Sequence, residues 1–129
     1  MFRFLRSSLQ DRELSPFAVC APIVHGGEPM QETSSFRHLK VWHASMALVE
    51  EIYRTTVTFP VHERFGLTAQ LRRAAVSVPS NIGEGKRRKR QRAFLHHLDI
   101  ALGSQGEVEV QLEIAKRVGF LPEHDYRRL

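Results

Sequence analysis

The sequence predicts an all-α protein. Three observations carry that expectation: apolar residues recur at three- and four-residue steps in three separate stretches, the last stretch forms a nearly continuous seam, and proline or glycine stands at the joints. The seam, spaced 4, 3, 4, 3, 4, 3 and 3, predicts long helices packed at a shallow angle.

The first helix is expected over about 36–57, where Leu39, Trp42, Met46, Val49, Ile52 and Tyr53 share a face and Ser34 or Ser35 stands in capping position. The β-branched run Thr55 to Thr58 and then Phe59-Pro60 mark its end. The second is expected over about 64–84, with Leu67, Leu71, Ala74, Ala75, Val78 and Ile82 as its apolar face. Pro79 lies inside it and removes the hydrogen bond to the Ala75 carbonyl, which predicts a bend; Ser77 and Ser80 are placed to satisfy the loosened backbone. Gly83 and Gly85 are expected to stop the helix, Gly85 as a left-handed cap.

The third helix, about 91–118, carries the seam Phe94, Leu98, Ala101, Gln105, Val108, Leu112, Ala115 and Val118. Gly103 and Gly106 within it suggest close backbone contact with a neighbour, and Gly119 ends it. Leu121-Pro122-Glu123 reads as the start of a fourth helix, about 122–129, because proline suits a first turn. Residues 1–35 hold three of the six prolines and no sustained period, so they are expected to form a mobile extension ahead of a helical domain at 36–129, with only a local helix near Phe2 to Leu9.

Composition places the chain with ordinary globular proteins: 42% hydrophobic and 26% charged residues, in a length that fits one domain. The N-terminus makes a poor signal peptide, and Phe17 to Val24 is too short to span a bilayer. Cys20 is the single cysteine, which excludes an intrachain disulfide and a thiolate cluster and makes a reducing, cytoplasmic setting the expectation.

The net charge of +5 is unevenly spread. From Arg72 to Arg92 there are eight Lys or Arg against one acid, Glu84; from Leu95 to Asp125 there are six acids against two bases. Such polarity serves either a polyanionic partner or contact between the basic end of one copy and the acidic face of another.

The residues now assembled resemble a known family. The match runs through Phe36-Arg37-His38-Leu39-Lys40-Val41-Trp42, Phe59-Pro60 with Glu63, and the unbroken stretch from Gln70 to Gly85, QLRRAAVSVPSNIGEG. It resumes at Phe94-Leu95, Leu98, Ile100-Ala101, Gly103-Ser104, Glu107, Gln111-Leu112 and Ala115-Lys116, covering about residues 36–122. The chain is similar to the four-helix bundle proteins of intervening sequences in 23S ribosomal RNA genes, a family related to accessory proteins of diversity-generating retroelements. The resemblance implies an antiparallel up-down four-helix bundle, commonly a homopentamer, with no established enzymatic activity. Its retroelement relatives bind nucleic acid and a reverse transcriptase through basic surfaces.

The chain departs from the family pattern in the link after Glu84-Gly85. Arg87 and Arg90 replace a small residue and a serine, and Ala93 replaces an acid, so a Ser-x-x-Glu capping box is lost and the link becomes more basic. Gln105 puts a polar group on the seam. The fourth helix is expected to be largely missing, as in a shortened or misread gene product, which would expose an apolar stripe and favour association.

The candidate nucleic-acid contacts are Lys86, Arg87, Arg88, Lys89, Arg90 and Arg92, with Arg72 and Arg73 as contributors from helix two. The competing reading of the run is a solvated corner between helices, and of Arg72 an ion pair with a neighbouring helix. No aromatic residue interrupts the run, which argues for sequence-blind backbone contact and against base recognition. Trp42 reads as core or subunit interface. Asn81 and Glu84 lack a nucleophile and base at usable spacing, and His96 and His97 point about 100° apart on a helix and cannot share an ion unaided. The sequence thus implies no catalytic residue, metal or other cofactor. It points to a non-enzymatic, oligomeric module that binds an RNA or DNA backbone, or else to an adaptor whose charged faces serve self-assembly or protein docking.

Overall fold

The computed structural model describes residues 35–129. The expected N-terminal extension, its local helix, Cys20 and a cap at Ser34 lie outside the described residues.

Four α-helices follow one another: α1 (Lys40–Thr55), α2 (Leu67–Arg87), α3 (Gln91–Arg117) and the six-residue α4 (Glu123–Arg128). Short 3-10 turns at Phe36–His38, Thr56–Thr58 and Val61–Arg64 complete the order, and no strand occurs among the described residues. The all-α class expected from the periodicities is the class observed.

The first helix is shorter than the expected 36–57 because both its ends tighten into 3-10 turns. Ser35 does cap, but it caps the turn: its side chain accepts from the Arg37 N–H at 3.3 Å. The buried face of α1 also differs from the expected one. Ser45, Leu48, Ile52 and Thr55 are buried, whereas Trp42, Met46 and Val49 are half-buried and Tyr53 is exposed. Apolar residues cover a wide arc of α1, and the part beside the core-facing residues lines a groove described below.

The second helix begins at Leu67, three residues later than expected, where the Glu63 carboxylate accepts the Leu67 N–H at 2.8 Å. At its other end the expected glycine stop is absent. The helix continues through Gly83 and Gly85 to Arg87, both glycines are buried, and the left-handed residue is Lys89, at φ 54°. The reason lies on α3: a Cβ on Gly85 would stand 2.6 Å from the Cβ of His97, so this glycine is a point of close helix approach. Gly103 and Gly106 show the opposite, since nothing lies within 4 Å of a Cβ at either position, against the expectation of close contact.

Inside α2, Ser80 donates to the Val76 carbonyl (2.8 Å), and Asn81 donates to the carbonyl and hydroxyl of Ser77 (2.9 and 3.0 Å), so the turn around Pro79 is reinforced by side chains. Contacts fix the helix directions pairwise. Ser104 meets Ser77 and His97 meets Asn81, so α3 runs antiparallel to α2. Phe36 lies against Gly83 while Thr56 meets Arg72, so α1 does likewise.

The main core joins Leu48 and Ile52 of α1, Leu71, Ala74 and Ala75 of α2, and Val108, Leu112 and Ala115 of α3, with Leu121 and Leu129 closing one end. A smaller cluster of Val78, Ile82 and Ala101 continues it toward the α2–α3 turn. Gln105, polar on the seam, is buried and donates to Glu109 at 2.9 Å. Gly119 ends α3 with φ +80°: the Phe120 N–H reaches the Ala115 carbonyl at 2.8 Å and the Gly119 N–H reaches Lys116, a Schellman closure that turns Leu121 back into the core.

Candidate nucleic-acid interface

The turn between α2 and α3 occupies three residues, Arg88, Lys89 and Arg90, and so presses the ends of two helices together. Lys86 and Arg87 fill the last turn of α2, where cations suit the negative end of the helix dipole. Arg90 stands at the N-cap of α3 and makes no side-chain capping bond, as the lost capping box implies. Arg87, Arg88, Lys89, Arg90 and Arg92 are exposed. Among the described residues Arg88 alone of the six cations has a carboxylate partner, Glu84, which it also reaches through a hydrogen bond. That bond holds the Glu84 carboxyl below the ordinary carboxylate range, with His97 adding to the effect.

Two of the six cations rest on aromatic rings. The Arg87 guanidinium lies 5.2 Å from the centre of the Phe36 ring, and the Lys86 ammonium 5.8 Å from that of Phe94. Arg37 lies over Phe36 as well, at 5.0 Å, and so joins the basic end from the start of the described chain.

Arg72 and Arg73 are placed elsewhere. They lie about four helical turns from Lys86, roughly 21 Å along α2. Arg72 is half-buried against α1, donating from Nε to the Thr56 hydroxyl at 2.8 Å, with its guanidinium 4.6 Å above the Tyr53 ring. Its partners are thus a hydroxyl and a ring, not the carboxylate of a neighbouring helix that the competing reading expected. Arg73 is exposed and borders a polar groove between α2 and α3 with Gln70, Glu107 and Gln111.

The last three of the six acids in the acidic segment are paired where they stand. Glu113 pairs with Arg117 (2.7 Å) and Lys116 (3.0 Å), Glu123 with Arg127 (2.9 Å) and Lys116 (3.6 Å), and Asp125 with His124 and Arg128. Among the described residues the charge polarity of the sequence therefore becomes a basic end in which only Arg88 has a carboxylate partner and an acidic segment whose last three acids are paired locally.

His97 is half-buried between helices, its Nδ1 3.3 Å from the Asn81 carboxamide oxygen and its Nε2 3.8 Å from Glu84. Asn81 and Glu84 thus share a contact that ties α2 to α3. Among the described residues no group of three His, Cys, Asp or Glu side chains is arranged to hold a metal ion.

Sequence reasoning missed Phe36, Trp42 and Met46 as neighbours of the basic end. These line a groove with Pro79, Gly83 and Arg87 across from them. The available signal was the width of the apolar arc on α1, which exceeds what one core face needs.

The fold and its charged end define a small helical protein, and among the described residues no helix is long and apolar enough to cross a membrane. The chain belongs to the 23S rRNA-intervening sequence protein family, whose model matches residues 37–129. This is not a known enzyme family. No curated protein matches the chain.

Proposed function

We propose that residues 36–129 act as a non-enzymatic helical-bundle module that works as an oligomer in the cytoplasm and contacts the phosphate backbone of RNA or DNA through the α2–α3 turn. The observation that carries this reading is the set of six cations from Lys86 to Arg92, of which only Arg88 has a carboxylate partner among the described residues. Closely spaced cations that lack counterions in the protein release bound counterions from phosphates on contact. Arg73, exposed on α2, extends the contact; Arg72 belongs to the α1–α2 interface first. The family resemblance supports a pentameric assembly and, through the retroelement relatives, a reverse transcriptase as a protein partner.

The test is binding of generic single-stranded and duplex probes across a salt series. Changing Lys89→Gln, Arg90→Gln and Arg92→Gln together is expected to lower the slope of log affinity against log salt by about 2 to 3. An unchanged slope removes the turn from the contact.

A second reading, an adaptor for self-assembly or protein docking, is favoured by one observation: Ile100, Val110 and Ile114 on α3 and Val118 at its C-cap are exposed. Light scattering discriminates, since a strict monomer contradicts it.

A further inference from the structure

The groove between α1 and α2 opens directly beside the basic turn. It measures about 550 Å³. One wall is Phe36, from the turn before α1, with Trp42, Met46 and Val49 of α1, and the facing wall on α2 is Val76, Pro79 and Gly83, so that two aromatic rings stand in a mainly apolar interior. Its rim is charged and polar, with Arg87, Glu84 and Ser80 exposed. Trp42 meets Phe36 edge-on at 5.1 Å, and the guanidinium of Arg87 lies over the Phe36 ring. A slot with two aromatic rings whose mouth carries the Arg87 guanidinium and continues into a run of cations, of which only Arg88 has a carboxylate partner among the described residues, suits a flat ring carried on a chain of phosphates.

We propose that this groove receives an unpaired nucleobase of a strand whose phosphates lie on Lys86 to Arg92. The proposal rests on the phosphate-contact reading above and adds a preference for single strands. Arg87 belongs to both parts: its guanidinium stacks at the mouth of the slot and stands at the start of the phosphate track. Base stacking on aromatic side chains is tolerant of sequence, because every base has a π-face. Glu84 directs one carboxylate oxygen to Arg88 and leaves the other at the rim for an exocyclic amine, which favours adenine, cytosine or guanine over uracil. A base held in a duplex cannot enter without being unstacked, which costs a few kcal/mol.

Trp42 is the only tryptophan of the chain and sits in the groove wall, so its fluorescence reports occupancy directly. The full chain is titrated with an oligo(A) strand, an oligo(U) strand and a duplex of equal length at matched salt. The expected result is quenching of Trp42 by oligo(A), weaker quenching by oligo(U), no change with duplex, and single-strand affinity about tenfold above duplex affinity. Phe36→Leu is expected to weaken single-strand binding by about tenfold while leaving duplex affinity and the salt slope unchanged. Because Phe36 also packs on Gly83, the second variant is Ser80→Leu, which crowds the mouth from an exposed position without altering charge and should have the same selective effect.

Equal single-strand and duplex affinity with a silent Trp42 overturns the groove and leaves the basic turn standing. Failure of every probe to bind at low salt overturns the phosphate-contact reading and the groove with it. A Trp42 emission that shifts with protein concentration and ignores the strand assigns the groove to a contact between copies and overturns the proposal.

Discussion

Gly85 and Gly106 are the same residue type in helix interiors with opposite surroundings, and substitution should separate them. At Gly85 an added methyl meets the backbone-proximal Cβ of His97 at 2.6 Å, which neither helix can relieve without moving apart. Overpacking of this kind costs about 1 to 3 kcal/mol, against about 1 kcal/mol gained in helix propensity. Gly85→Ala is therefore expected to lower the melting temperature, while Gly106→Ala, with nothing within 4 Å, should raise it by several degrees through propensity alone. Thermal unfolding by circular dichroism checks both, and a rise at Gly85 would contradict the close approach. The glycines were legible as special positions but not for their reasons. Gly-Glu-Gly before a basic run reads as a helix stop, and only the position of His97, twelve residues on, turns it into a packing site. Arg72 carries a similar lesson, since its charge in the sequence invited a phosphate and its surroundings supply Thr56 and Tyr53 instead. Arg72→Ala should cost about 1 to 2 kcal/mol of stability by denaturant titration and leave the salt slope of nucleic-acid binding unchanged. A changed slope without destabilisation would place Arg72 on the phosphates.

At the scale of elements, charged groups as well as packing join α3 to α4. The Arg117 guanidinium, then the Lys116 ammonium, hold the Glu113 carboxyl down at about 2, and the Tyr126 hydroxyl of α4 also bonds it. A carboxylate depressed from its ordinary 4.5 contributes stability that is fully present above about 4.5 and is lost as pH falls toward 2. The same Lys116 lies 4.2 Å from the centre of the Tyr126 ring and reaches Glu123, so α4 should loosen before the α2–α3 pair as acid is added. Tyr126 near-ultraviolet dichroism is expected to lose intensity between about pH 4.5 and 2 ahead of the helical signal, and Glu113→Gln should remove that early phase. Coincident transitions in the parent protein would show that this corner does not open separately. The helices themselves were readable because their apolar period is long and regular; α4 was readable from Leu121-Pro122-Glu123. The buried face of α1 was not, because two apolar stripes run side by side there and nothing local says which meets α2 and α3. The candidate site divides the same way: the basic run is contiguous in sequence and visible as charge, whereas Phe36, Trp42 and Arg87 come together only through antiparallel packing of α1 on α2.

At the scale of the whole molecule, the described residues present a basic end in which only Arg88 has a carboxylate partner and a mainly aliphatic row along the outside of α3. Ile100, Val110, Ile114 and Val118 fall within about 80° of one another around the helix, and Gly103 and the exposed Glu107 lie in the same arc. Val110 is 61% exposed and Val118 52%, on a helix whose other face is fully committed to the core. Scattered exposed aliphatic residues need no explanation, but a row over five turns, interrupted by the exposed Glu107, is the candidate surface for the self-assembly reading. The glycine in that row, with open space above it, would let a second backbone approach closely. If copies of the chain meet through this stripe, the basic turns of the assembled copies are brought into one array, and phosphate affinity rises through multivalency without any new contact. The two properties are then coupled. Val110→Asp is expected to lower the particle mass seen by light scattering and to weaken nucleic-acid binding by at least tenfold, although Val110 lies far from the turn, while leaving the helical dichroism intact. An unchanged mass places the interface elsewhere on the molecule. A reduced mass with undiminished affinity means that one basic turn suffices for binding and that assembly serves another purpose.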